Sequence, residues 1–263
     1  YILVANGEIY NDPEIRKKNR TYKFVTNSDS ESILALYESK GIDGLKLLRG
    51  MYAFIIYDKK RDEVIIGRDE FGIKPLYFSL MKNGIVFCSE TKPIVSLKKS
   101  IPNINVWKLF EYMQLQYSSG TETLYEGIQR VAPGQILVIK RGKIIKSFLS
   151  SFTQKKKSIN DAELILSLDK SLRESVSSHL RSDVPYCIFF SGGIDSMLLL
   201  HYVHKLKKEN VTAYSIFFDE DTSKSLEKIT KTYNVDLVKV KFSEDDFWNW
   251  IFLAAEKIDD PVA

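Results

Sequence analysis

Cysteine, histidine and long apolar runs are all scarce in this sequence, and each shortage removes a class of protein. Among 263 residues only Cys88 and Cys187 occur, both inside apolar stretches that read as buried strands. Two such residues cannot build a disulfide framework, which fits a reducing cytoplasm. His179, His201 and His204 are the only histidines, and the last two stand three apart on a helix-like stretch with no third ligand in view. No apolar run approaches the roughly 18 residues a membrane helix needs, and no secretory pattern opens the chain. Charge of one sign is scarce too: the formal net charge is +4, with Lys98-Lys99, Lys155-Lys156-Lys157 and Lys207-Lys208 scattered. Solvated surface accounts for such runs, so neither nucleic acid nor a membrane is an expected partner. The chain opens without Met, on Tyr1-Ile2-Leu3-Val4-Ala5 as a strand under way, and stops at Asp260-Pro261-Val262-Ala263 just after a helical pattern. Both ends read as cuts in a longer protein.

What is present is more specific. The run Tyr186-Cys187-Ile188-Phe189-Phe190 leads straight into Ser191-Gly192-Gly193-Ile194-Asp195-Ser196, and Met197-Leu198-Leu199-Leu200 follows with helical character. A strand, a small-residue turn and a helix start make a phosphate cradle: glycines admit the anion, while hydroxyls and free N–H groups donate to it. No lysine is present as in the Walker loop. A carboxylate beside phosphates needs a cation between, so Asp195 points to Mg²⁺. An ordinary glycine turn is the plain alternative.

Residues 1–150 read as an α+β domain of antiparallel strands with helices between. Ser28 and Glu31 form a candidate capping box for a helix carrying Ile33, Leu34, Leu36 and Tyr37 and closed by Gly41. Hairpins are expected around Lys59–Asp62, Asn83-Gly84 and Arg141-Gly142. Residues 151–159 read as a polar linker. Residues 160–263 read as an α/β doubly wound domain with a parallel sheet: Asn160 and Glu163 cap a long helix, and strands then alternate with helices.

Asn6-Gly7-Glu8-Ile9-Tyr10-Asn11 is the second informative segment, following the opening apolar strand. A side-chain amide beside a glycine N–H can make a two-donor oxyanion hole. Taken alone, Asn-Gly is more often a turn.

Together with Ser28-Asp29-Ser30-Glu31, Leu48-Arg49-Gly50-Met51-Tyr52-Ala53-Phe54, Gly67 through Tyr77, and Ser191 through Ser196, this segment resembles the glutamine-dependent asparagine synthetases. Ser182-Asp183-Val184-Pro185-Tyr186 is a further match. That family joins an N-terminal-nucleophile glutaminase to an ATP-pyrophosphatase-type synthetase. The resemblance implies that Asn6 and Gly7 supply the oxyanion hole. Asn6, Gly7, Glu8 and Asp29 would bind glutamine, with Asp29 taking its α-ammonium or else helping to cap the helix. Arg68, Asp69 and Gly72 read as scaffold, an ion pair and a turn. ATP would lie on Ser191, Gly192, Gly193, Ile194 and Ser196, with the main chains of Phe190 and Phe218 beside the adenosine and Asp195 holding Mg²⁺. Both phenylalanine rings read as core.

The implied partners are small molecules, glutamine and either aspartate or another carboxylate, and a homodimer is the assembly the reading admits. The family's nucleophilic cysteine and an upstream arginine have no counterpart here, and neither cysteine present substitutes for the nucleophile. The family's second phosphate loop and a later lysine are also absent, so this chain alone is expected to be inactive. Two alternatives stand beside asparagine synthesis: amidation of another carboxylate, as in sugar-acid or β-lactam-forming relatives, and a noncatalytic relative that keeps the fold. Asp259 and Asp260 could face the synthetase site or simply end a helix.

Overall fold

The computed structural model describes residues 1–150, 160–182, 184–207, 211–218 and 220–259. The expected linker at 151–159, Asp183, and the terminal Asp260 and Pro261 lie outside the described residues. The chain divides into two compact units, Tyr1–Gln154 with Ile258–Ala263, and Lys155–Lys257.

The first unit opens with β1 (Ile2–Ile9), α1 (Asp12–Lys18), α2 (Glu31–Lys40), α3 (Ile42–Leu45), β2 (Gly50–Asp58) and β3 (Glu63–Arg68). It continues with β4 (Tyr77–Met81), β5 (Gly84–Cys88), α4 (Thr91–Leu97), α5 (Val106–Leu115), β6 (Gln129–Arg130), β7 (Gln135–Lys140) and β8 (Lys143–Leu149). Five strands form one sheet in the order β1-β2-β3-β7-β8, and β5-β4-β6 form another. Every pairing in these two sheets is antiparallel.

Alternation along β2 explains why it sits inside the sheet. Tyr52, Phe54 and Ile56 enter one core with Ile33, Leu36 and Ile65, while Ala53 and Ile55 join a second core with Ile66, Leu137 and Phe78. A slip of one residue would exchange the two sets, so the register is strongly specified. The expected hairpin turns form; Arg141 and Gly142 both take positive φ, 50° and 70°, as a tight two-residue turn requires. Within the first core, the Tyr37 hydroxyl donates to Asp58 at 3.1 Å. Burial, reinforced by that acceptor, pushes the Tyr37 phenol up to about 12.

The expected capping box does not form. Helix α2 begins at Glu31 after Ser30, which makes no side-chain cap, and the Glu31 carboxylate turns away to accept from Val25 and Thr26. Two backbone N–H groups and a hydroxyl on one carboxylate outcompete a reach back to Ser28.

The second unit contains α6 (Asp161–His179), β9 (Cys187–Phe189), α7 (Ile194–Leu206), β10 (Thr212–Phe217), α8 (Glu220–Thr232), β11 (Asp236–Lys241) and α9 (Glu244–Lys257). Asn160 caps α6 as its sequence suggests, its side chain accepting from Glu163 N at 2.9 Å. The three strands are parallel in the order β11-β10-β9. Ile188, Ala213 and Leu237 lie side by side on one face, where residues of α6, α7 and α8 pack. The opposite face exposes Phe189, Tyr214, Ile216, Val238 and Val240. Parallel sheets are ordinarily covered on both faces; among the described residues, one face carries the core. Cys187 lies on the other face and is exposed, which corrects its reading as a buried structural residue, while Cys88 is half-buried at the end of β5. The apolar stripe of α6 is likewise buried only near Val176, with Leu164 and Leu168 exposed. Among the described residues no helix is long and apolar enough to cross a membrane.

Candidate functional sites

Asn6 and Gly7 stand inside β1 rather than in a turn, opposite Ala53 and Tyr52 of β2. The turn reading of this dipeptide is therefore overturned, and the cause is visible at Gly7. Its φ is +152°, and a Cβ there would lie 2.1 Å from the Met51 carbonyl oxygen. Glycine is what lets the ladder close at this point. Asn6 and Glu8 are exposed on the strand's outer face, and Ile9 is buried beneath it.

Asp29 is brought to this segment across twenty positions of sequence. Its Oδ2 accepts the backbone N–H of Ile9, so the end of β1 and the turn before α2 meet. Asp29 does not cap α2; of the two roles the sequence left open, capping is excluded by this geometry. Asn11 holds the segment leading to β2, accepting from Arg49 N and donating to Leu47 O, both at 2.9 Å.

Behind Asp29 lies a polar network with no motif to announce it. Asp12 accepts from Arg16 Nε at 2.8 Å and from Ser32 Oγ at 2.6 Å. Arg16 also donates to the carbonyls of Thr26 and Ser28, and its guanidinium stacks 4.2 Å from the centre of the Phe24 ring. Glu31 accepts from Val25 N, Thr26 N and Thr26 Oγ1, each at 2.7 Å. Burial alone would raise the Glu31 carboxyl; the Thr26 hydroxyl, the two N–H groups and Arg16 outweigh it and hold the group below the usual range. One sequence signal was available: Asp12 and Arg16 are spaced i, i+4 on a helix that Pro13 starts.

Arg68 and Asp69 serve the backbone. Arg68 donates to the carbonyls of Lys74, Gly72 and Val131 at 2.7 to 2.8 Å. Asp69, fully buried, accepts from the N–H groups of Tyr52, Phe71, Ile73 and Lys74. The turn part of the scaffold expectation matches, with Gly72 in the bend that Arg68 grips; the hydrogen bonds described here for both side chains go to backbone groups. Because Tyr52 pairs with Gly7, Asp69 also braces the strand opposite the oxyanion-hole candidates. Asp259 accepts from Thr91 N, Lys92 N and Thr91 Oγ1 at the start of α4, within the first unit.

In the second unit the glycine loop joins β9 to α7. Phe190 N–H still donates to Tyr214 O at 2.8 Å, continuing the sheet, and then the chain turns through Gly192 at φ +77°. Ser196 Oγ donates to Gly193 O at 3.0 Å and lies 3.2 Å from Ser191 Oγ. Gly193 leads α7 without a side-chain cap, which leaves first-turn N–H groups available to an anion. Asp195 is exposed in that turn. No group of three or more His, Cys, Asp or Glu side chains gathers for a metal among the described residues. A cation there would take Asp195 and complete its shell from phosphate oxygens and water, a donor set that suits Mg²⁺. The Phe190 ring is core, as expected; the Phe218 ring is 72% exposed, edge-on to Phe242, which corrects its assignment to the core. His201 and His204 lie against the Tyr233 ring.

A profile of glutamine amidotransferase domains matches residues 1–153, and a profile of asparagine synthases matches residues 167–263. The glutamine-hydrolysing asparagine synthetase 1 of Bacillus subtilis is 32% identical over 271 residues, covering 100% of this chain and 42% of that protein. A putative glutamine-hydrolysing asparagine synthetase of Mycobacterium tuberculosis is 37% identical over 207 residues, covering 74% and 32%. Amidase chry2 of Gibberella zeae is 27% identical over 267 residues, covering 92% and 39%. The chain thus spans less than half the length of these relatives. Among solved structures, the glutamine phosphoribosylpyrophosphate amidotransferase of B. subtilis aligns at 16% identity with a TM-score of 0.39, over 98% of this chain and 50% of that one.

Proposed function

Because the chain belongs to the family that joins a glutamine amidotransferase domain to an asparagine synthase domain, we propose that it works in glutamine-dependent asparagine synthesis. The observation that carries this reading is the junction of Asn6-Gly7-Glu8 with Asp29 through the Ile9 N–H, in a chain that also carries an uncapped glycine loop. The first unit is an amidotransferase of the N-terminal-nucleophile type, and the second is part of a doubly wound synthetase domain.

In the protein carrying this chain, the family's cysteine thiolate, for which these residues hold no counterpart, would attack the glutamine side-chain amide and build negative charge on its oxygen. The Asn6 side-chain amide and the Gly7 N–H donate to that oxygen. As the C–N bond breaks, ammonia departs and leaves a thioester, from which water then releases glutamate. Asp29 and Glu8 orient the amino acid, with Asp29 on its α-ammonium. Ammonia then passes to the synthetase half. A carboxylate does not accept ammonia directly, because its leaving group would be oxide. ATP with Mg²⁺ supplies an adenylate leaving group when bound. Ser191, Gly192, Gly193, Ile194 and Ser196 hold the phosphates, Asp195 the cation, and the main chains of Phe190 and Phe218 flank the nucleoside. The medium on this reading is the cytoplasm, and the protein works as a homodimer on small-molecule substrates.

A second reading keeps the machinery and changes the acceptor carboxylate; the amidase-named relative favours keeping it in view. ATP–pyrophosphate exchange in the protein carrying this chain, with aspartate against other carboxylates, decides between them. Exchange that depends on aspartate supports asparagine synthesis. Exchange indifferent to aspartate overturns it, and no exchange with any carboxylate favours a noncatalytic relative.

A further inference from the structure

We propose that Arg16 and Glu31 are positioning residues that hold the Asp29 carboxylate where it can take the α-ammonium of glutamine. This rests on the glutamine reading of the first unit; Arg16 lies outside the matching segments, and Glu31, inside one of them, gains a role beyond its place in the motif.

The segment Phe24–Ser28 has no helix or strand to fix it. Phe24 packs against the first core, but Val25 is 88% exposed and Thr26 to Ser28 are exposed as well, so packing does little to order the stretch beyond its first residue. Two charged side chains grip it from opposite sides. Arg16 holds the carbonyls of Thr26 and Ser28 at 3.1 and 2.7 Å, and Glu31 holds the N–H groups of Val25 and Thr26 at 2.7 Å. The Ser28 carbonyl belongs to the peptide unit whose nitrogen is Asp29's own. Rotation of that unit swings the Asp29 side chain, so Arg16 Nη2 holds an oxygen three bonds from the Asp29 Cα.

Arg16 is itself fixed. Its Nε donates to Asp12, which is 8% exposed, and Asp12 is locked by Ser32, which is fully buried on α2. The chain of contacts runs from the α2 core through Ser32, Asp12 and Arg16 to the peptide of Asp29. Removing charged groups from water is a poor way to stabilise an exposed loop. It is an effective way to give one carboxylate a single direction, because planar guanidinium and carboxylate groups fix geometry as well as distance. Asp29 then reaches the Ile9 N–H at the end of the Asn6-Gly7-Glu8 segment.

The test compares binding of L-glutamine with binding of its analogue that lacks the α-amino group, glutaramate, by calorimetry on the protein carrying this chain. The unsubstituted chain is expected to prefer glutamine by about tenfold or more, the scale of one charge-assisted contact. Arg16→Lys and Glu31→Gln should reduce that ratio toward one, chiefly by weakening glutamine. Thr26→Val, which removes one hydroxyl contact to Glu31, should reduce it part-way and guards against misfolding of the other two. A purely structural role would weaken both ligands alike and leave the ratio unchanged. That result overturns the proposal. Asp29→Asn separates the two levels: if it abolishes the ratio while Arg16→Lys and Glu31→Gln preserve it, the glutamine reading stands and positioning fails. If the unsubstituted protein carrying this chain binds neither compound, the glutamine reading fails and takes the proposal with it.

Discussion

In the first unit, the backbone around the amide-site candidates is tied down wherever it leaves the ladder. Asp69 takes four N–H groups, Arg68 three carbonyls, Arg16 two and Glu31 two more N–H groups. In the second unit, the glycine loop is joined by two serine hydroxyls and a long Gly193 N–H to Ser191 contact of 3.4 Å, and α7 starts uncapped. The difference matches the chemistry proposed for each site. An oxyanion hole works by preorganisation, so its frame must be rigid before substrate arrives. A phosphate cradle works through donors that the protein has not already used.

The glycines sharpen this contrast most. Gly7→Ala should cost about 3 kcal/mol or more of stability, because φ +152° and a 2.1 Å approach to a backbone oxygen leave no room to yield. Gly192→Ala meets only a Leu226 methyl, at 2.6 Å, which can rotate aside. Its cost should stay near the ~1 kcal/mol of a left-handed backbone. Urea unfolding of both variants checks the order, and a smaller effect at Gly7 would break the comparison.

The two aspartates come next. Asp69→Ala should lower stability by about 2–3 kcal/mol, since it strands buried N–H groups. Asp195→Ala should leave the unfolding midpoint where it is and weaken binding of Mg-ATP instead. Calorimetric unfolding together with nucleotide titration measures both; an unfolding loss at Asp195 equal to that at Asp69 would erase the distinction.

Acid should act on the first unit through Glu31. Its folded-state pKa lies below its ordinary 4.5, so its contribution is complete above that value and is lost as pH falls through the lowered one. Stability measured between pH 6 and pH 3 should therefore fall more steeply in the parent chain than in Glu31→Gln. Equal slopes would remove Glu31 as a brace. The smallest effect is expected from the exposed Lys239–Glu227 pair of the second unit. Lys239→Ala should leave the unfolding midpoint unchanged at physiological salt, where such pairs are screened.

Much of this was legible in the amino-acid order. Apolar alternation marked β2, β3 and β7, turn residues marked the hairpins, and Asn160 marked the start of α6. The glycine loop was readable because strand, small residues and helix start follow one another without a gap. Other features were hidden because they depend on partners distant in sequence. Nothing local says that Asn6-Gly7 lies inside a strand; its partners Ala53 and Tyr52 stand some forty-six residues on. The capping-box pattern at Ser28 and Glu31 was misleading because Val25 and Thr26 offered Glu31 better donors. Phe218 and Cys187 read as core since strands in such folds are covered on both faces, and here they lie where the described residues leave the sheet open.

Residue-resolved amide NMR of this chain, titrated first with glutamine and then with Mg-ATP, tests the two-site account most directly. Glutamine should move Gly7, Glu8, Ile9 and Asp29 and leave the glycine loop alone, while Mg-ATP should move Ser191 through Met197 and leave β1 alone. If Mg-ATP leaves Ser191 through Ser196 unmoved, or glutamine leaves β1 and Asp29 unmoved, the account of two sites in one chain is contradicted.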